Sequence, residues 1–191
     1  KMKSAQTLDE LRGYEGFAAR SYFQGIASVL DGDWRFSGRK KHPPADPVNA
    51  LLSYGYTLLY YNIYSLARAR GLNPHVGFLH SIRPGHPALI SDLIEEFRAM
   101  IVDTVVWKLV ISRRIKPADF SVGKKYGSGC LLGESAKNLF IRELEKKLNS
   151  TRQHPVTSTK MDYRRCMEYQ VLQIARVIQG RQERYQPLLL K

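Results

Sequence analysis

Residues 46–70 read DPVNALLSYGYTLLYYNIYSLARAR, and the fold class follows from this stretch. Asp46 before Pro47 marks a helix start: the carboxylate caps an orphan amide, and proline at the first helical position has no N–H to lose. The spacing predicts a long apolar helix from Pro47 to about Arg70, with an aromatic-rich body of Tyr54, Tyr56, Tyr60, Tyr61 and Tyr64. Upstream, Gly13 to Leu30 carries Phe17, Ile26, Val29 and Leu30 at helical spacing. Its small residues Gly16, Ala18, Ala19 and Gly25 allow another backbone or DNA to come close. Between these helices, Asp31 to Asp46 is a loop rich in Gly, Pro and charge. Downstream, Gly71 to Pro87 is a second loop, and a helix is expected from about Ala88 to Ser112.

Lys116 to Gly133 is glycine-rich, with Phe120–Val122 and Cys130–Leu132 as candidate short paired strands. Glu134–Asn149 and Thr159–Gln179 read as further helices; Gly180 fits a helix stop, and the tail from Tyr185 is extended. The expectation is a mainly α single domain over residues 1–191, with about five to seven helices and long loops.

The apolar share of 43% is that of a folded chain. No run of about 18 apolar residues suits a membrane span, and the polar start has no secretory apolar core. Cys130 and Cys166, far apart and without paired histidines, do not suggest zinc. A reducing, cytoplasmic setting is the simplest expectation. Thirty Lys and Arg against 17 Asp and Glu give +13. Such an excess costs self-repulsion and points to a polyanionic partner. The charge gathers at Arg39-Lys40-Lys41, Arg113-Arg114 with Lys116, Lys124-Lys125 and Arg164-Arg165.

Against this basic background stand a few acids. Residues three and four apart share a helix face, so Asp92 neighbours both Glu95 and Glu96, with Leu89, Leu93, Phe97 and Met100 on the opposing stripe. Such carboxylates repel unless a cation lies among them: either Mg²⁺ or Mn²⁺, or Arg98 or Lys108 on a solvated acidic face. Glu15, beside Tyr14 and Gly16-Phe17, is either salt-bridged to Arg12 or Arg20 or a metal ligand. His80 follows an apolar run before a turn-rich loop, where imidazole serves structure, metal binding or proton transfer. By chemistry alone His75 and His86 are equal to it. Tyr22 and Trp34 are either core residues or stacking platforms for unpaired bases.

Several segments resemble, in order and spacing, the CRISPR adaptation integrase, Cas protein one. They are RGYEGFAA at 12–19, DPVNALLSYGY at 46–56, GFLH at 77–80, SDLIEEFR at 91–98 followed by Val102-Asp103, and Arg164 to Gly180 with the Tyr185-Gln-Pro tail. The resemblance covers essentially the whole chain. It implies that Glu15, His80 and Glu95 bind Mg²⁺ or Mn²⁺, with Asp92 as the supporting acid. Glu95 is chosen over Glu96 because the family's third ligand lies three residues beyond that acid; helical periodicity alone leaves both open. It implies metal-dependent endonuclease and integrase chemistry, in which a DNA 3′-hydroxyl attacks a phosphodiester of the repeat array during spacer acquisition. The partners implied are branched or double-stranded DNA with free 3′ ends and Cas protein two. The family's N-terminal β-rich domain is expected to be absent from this chain. The homodimer implied therefore belongs to the full-length family rather than to this fragment. Arg39, Lys40, Lys41, Arg83, Arg113 and Arg114 are the expected phosphate contacts. The alternative is a non-catalytic basic helical DNA-binding or assembly module, whose acids only form salt bridges.

Overall fold

A computed structural model of the chain describes residues 5–30, 32–40, 42–123 and 129–189. Lys41 and Lys124-Lys125 fall outside these. The described residues form six α-helices and two small hairpins. Helix α1 (Leu8–Val29) starts earlier than its apolar pattern predicts, because Thr7 caps it and Asp9 and Glu10 favour the positive end of the helix dipole. Helix α2 (Pro47–Ala69) begins as its sequence dictates: the Asp46 carboxylate accepts from the Asn49 amide at 2.8 Å. Its residues Leu51, Leu52, Leu59 and Ile63 are fully buried, which makes α2 the centre of the core. Gly55 permits this, since a Cβ there would lie 2.5 Å from Val102 and 2.8 Å from Phe140.

The helix expected over 88–112 is present but not uniform. Helix α3 (Ala88–Phe97) passes through a π-helical segment, Arg98–Asp103, into α4 (Thr104–Ile111). A π turn holds one extra residue, which sets back whatever follows by about 100° around the axis. Asp103 therefore lies within roughly 20° of the Glu95 face; an unbroken α-helix would put it about 80° away. Strands β1 (Phe120–Val122) and β2 (Cys130–Leu132) pair antiparallel, Phe120 opposite Leu132, as the sequence suggests. A second hairpin has no counterpart in the sequence reading: β3 (Thr151–Gln153) pairs with β4 (Lys160–Asp162). It follows α5 (Glu134–Leu148) and delays α6 to Tyr163–Ile178, capped by Asp162. Trp34 is core rather than a stacking platform, 4% exposed in a 3₁₀ turn.

Two local constraints hold the functional face. The loop 71–87 is pinned by Asp92, whose carboxylate accepts from the backbone amides of Phe78, Leu79 and His80 at 2.5, 3.1 and 2.9 Å. Gly77 makes the approach possible, because a Cβ there would come within 2.7 Å of the Asp92 Oδ2 and 2.8 Å of Ala88. On the far side, buried Glu143 of α5 gathers Lys108 of α4 at 2.9 Å, Lys146 at 3.0 Å and Arg114 at 3.3 Å.

Gly77→Ala should push the loop off Asp92. Overpacking of this kind costs about 1–3 kcal/mol, so exchange of the 78–80 amides should speed by about tenfold or more; unchanged protection would refute the cradle. Hydrogen bonds from Lys108 and Lys146, opposed by burial and helped by Arg114, lower the Glu143 pKa from 4.5 to about 2. A folded-state pKa held below the unfolded value stabilises the fold above that value, and the gain disappears as pH falls from 4.5 towards 2. Glu143→Gln should therefore lower Tm by about 4–8 °C at neutral pH, for a loss of about 2 kcal/mol. The difference should vanish near pH 2; a gap that persists there would exclude the ion-pair origin.

Candidate active site

A cleft of about 900 Å³ opens between α1, α2, α3 and the 71–87 loop, and Glu15, His80 and Glu95 all line it. Each reaches it from a different segment. Glu15 is on the second turn of α1, and among the described residues no salt bridge engages it. Arg12, one of the two salt-bridge partners that the sequence offered for it, pairs elsewhere. Its Nη1 binds Asp9, and its Nε and Nη2 donate to the Leu79 carbonyl at 2.8 and 2.6 Å. This ties α1 to the residue just before His80.

His80 is oriented by Asp92. Its Nδ1 lies 2.7 Å from Asp92 Oδ1, the same oxygen that accepts the His80 amide, and among the described residues no hydrogen bond engages Nε2. The geometry sets one of the three histidines apart from the other two. His86 is also at the cleft, 5.9 Å from the His80 ring and 3.4 Å from the Ser91 hydroxyl. His75 is exposed on the loop and is not among the lining residues.

Glu95 and Glu96 point to different tasks. Glu95 lines the cleft and is ion-paired with Arg98. Glu96 accepts from Tyr185 Oη, from Gln170 Nε2 at 2.9 Å and from the Leu188 amide at 2.7 Å. It thus clamps the C-terminal tail onto α3, and Leu188 is buried beside it. Among the described residues no three His, Cys, Asp or Glu side chains converge as a ready ion cage; Arg98 provides the cation beside Glu95.

Beneath the cleft lies a buried polar network that the sequence reading missed. Asp103, 3% exposed, accepts from Tyr56 Oη at 2.6 Å and Tyr22 Oη at 3.0 Å, and Trp107 Nε1 donates to Tyr22 at 3.1 Å. Burial raises the Asp103 pKa against these hydrogen bonds, and it pushes Tyr22 up to about 12. Tyr22 is thereby a structural strut on its hydroxyl side, although the residue as a whole is 40% exposed. The Tyr56 ring carries Arg98 at 4.3 Å. Burial opposes the Arg98 charge, but Glu95 and Tyr56 outweigh it and raise its pKa. The available signals for this network were Arg98 three residues past Glu95 and the isolated Asp103 in an apolar helix.

The expected phosphate contacts divide. Lys40 and Arg83 are exposed, and Arg83 borders the cleft. Arg39 is in the cleft wall rather than free on the surface, donating to the Asn49 and Ser53 side chains at 2.9 and 3.0 Å. Arg113 and Arg114 are exposed after α4, and Arg114 reaches Glu143. No described helix is long and apolar enough to cross a membrane.

The chain resembles proteins already described. A solved structure of a casposase bound to integration product superposes with a TM-score of 0.87 at 26% identity, over 100% of this chain and 54% of that one. A Cas6-RT-Cas1–Cas2 complex gives 0.88 at 27% identity, over 100% of this chain and 21% of that one. A CRISPR-associated endonuclease Cas1 of Thermus thermophilus is 37% identical over 187 residues, 98% of this chain and 55% of the relative. The chain thus spans about half the length of the curated relatives it matches. The family model described as CRISPR associated protein Cas1 matches residues 1–146. With these matches, the chain belongs to the CRISPR-associated Cas1 family.

Proposed function

We propose that this chain is the helical catalytic part of a CRISPR adaptation integrase, cutting DNA and joining short pieces into a repeat array. The observation that carries this reading is that Glu15, His80 and Glu95, from three separate segments, line one cleft of a protein with net charge +13. Two carboxylates and an imidazole whose Nε2 has no hydrogen bond among the described residues suit Mg²⁺ or Mn²⁺. Such an ion, when bound, polarises the scissile phosphate and stabilises charge on its oxygens. In strand transfer a DNA 3′-hydroxyl oxygen bonds to phosphorus, and the bond to the departing 3′-oxygen breaks; water in place of the hydroxyl gives cleavage.

The chain's own residues set up this chemistry. Asp92 fixes the His80 ring through Nδ1, and hydrogen-bonded partners of this kind orient a ligand and raise its basicity. Arg12 locks α1, and so Glu15, against the Leu79 carbonyl. Lys40, Lys41, Arg39, Arg83, Arg113 and Arg114 contact phosphates, which position DNA without reading its sequence. The partners are branched or double-stranded DNA with free 3′ ends and a Cas2-type protein, in the cytoplasm of a prokaryote. Support comes from a casposase solved with its integration product and from solved Cas1–Cas2 complexes.

Mn²⁺-dependent cleavage and strand transfer on branched DNA should fall to background in Glu15→Ala, His80→Ala and Glu95→Ala, with DNA binding retained. Asp92→Asn should lose about 10–100-fold through His80. Glu96→Gln should chiefly loosen the tail and lower Tm. Activity that persists in chelator, or that survives Glu95→Ala and dies in Glu96→Ala, would overturn the ligand assignment.

A further inference from the structure

Two guanidinium groups share one aromatic ring inside the cleft. The Arg98 Cζ lies 4.3 Å from the Tyr56 ring centroid and the Arg39 Cζ 5.4 Å from it. Both arginines line the cleft together with Glu95. Paired cations this close repel each other, and the ring's negative face offsets only part of that. Among the described residues Glu95 is ion-paired with Arg98 and with no other cation. The Arg39 fork donates to neutral acceptors, Lys40 O at 2.8 Å, Asn49 Oδ1 at 2.9 Å and Ser53 Oγ at 3.0 Å. Its Nε is buried with no hydrogen-bond partner among the described residues. The ring itself is fixed, since its hydroxyl donates to buried Asp103.

We propose that Arg39 and Arg98, held on the Tyr56 ring, form a phosphate-binding subsite that seats one backbone phosphate of DNA beside Glu95. This rests on the reading of the cleft as the DNA-processing site. Arg98 has two successive partners there. Without a divalent ion it neutralises Glu95. An ion held by Glu95 would free the guanidinium for the phosphate, with its stack on Tyr56 keeping it in place. A planar fork that stacks and binds two oxygens at once suits this exchange better than an ammonium.

The subsite can be tested without any metal. In chelator, Glu95→Gln releases Arg98, so the variant should bind branched DNA about tenfold more tightly than the unaltered chain. Adding Arg98→Gln should abolish that gain and lower the slope of log Kd against log salt by about one. The Arg98→Gln loss should be larger in the Glu95→Gln background than in the unaltered one, which a simple change of net charge does not give. Equal losses in both backgrounds, or no gain from Glu95→Gln, would overturn the proposal. Should Arg98→Gln fail to fold, Arg98→Lys keeps a cation beside residue 95 and should still lose most of the gain; full retention by the lysine variant would overturn the guanidinium fork. Mn²⁺-dependent cleavage by the unaltered chain separates the two readings. Cleavage without the binding gain removes the subsite and leaves the ion site standing, and the gain without cleavage does the reverse.

Discussion

A carboxylate removed from water must be hydrogen-bonded or lose its charge, and Asp103 meets that constraint by recruiting three parts of the chain. Its two oxygens take hydroxyls from α1 and α2, while it sits itself where the π segment meets α4. Apart from Phe23, α1 buries no residue fully. Its attachment therefore depends on a few specific bonds: Tyr22 to Asp103 at one end and Arg12 to Leu79 at the other. Since α1 carries Glu15, those bonds also set one wall of the cleft. Arg98 and Tyr56 extend the same network up to Glu95.

Charge organises the remainder. The chain carries +13 overall, yet its acids gather where they hold something: Asp92 three amides and a ring nitrogen, Glu143 three cations, Glu96 the tail. A basic exterior attracts a polyanion by long-range field, and a cleft lined by carboxylates repels that same polyanion at contact. Arg98 beside Glu95 and Arg39 across the Tyr56 ring soften the contradiction locally.

Much of this was legible in the sequence where a residue's role is local. Asp46-Pro47 announces α2 because capping is settled within four residues, and the Phe120–Val122 and Cys130–Leu132 pairing follows from short apolar runs around glycine. The grouping of Glu15, His80, Asp92 and Glu95 came from resemblance to a family; periodicity could place only the acids of α3 on one face. What stayed hidden depends on partners distant in sequence. Nothing near Glu96 announces that Gln170, Tyr185 and Leu188 will claim it. The β3–β4 hairpin is three residues to a strand, too short for alternation to register. The π segment leaves no mark in composition, because RAMIVD suits an ordinary helix equally well.

That extra residue makes the segment 98–103 unequal in its tolerance of change. Exchanging one apolar side chain for another alters volume by a methylene or two, which a core partly absorbs. Straightening all six residues of the segment into a continuous α-helix, with none removed, would turn Asp103 by about 100°. Tyr22 and Tyr56 would lose their shared acceptor together, and with it the seat of α1. Losing one residue from the segment would instead close the π turn and leave Asp103 on the Glu95 face, so lineages of this fold are expected to bear a one-residue shortening there better than a change that straightens it at full length.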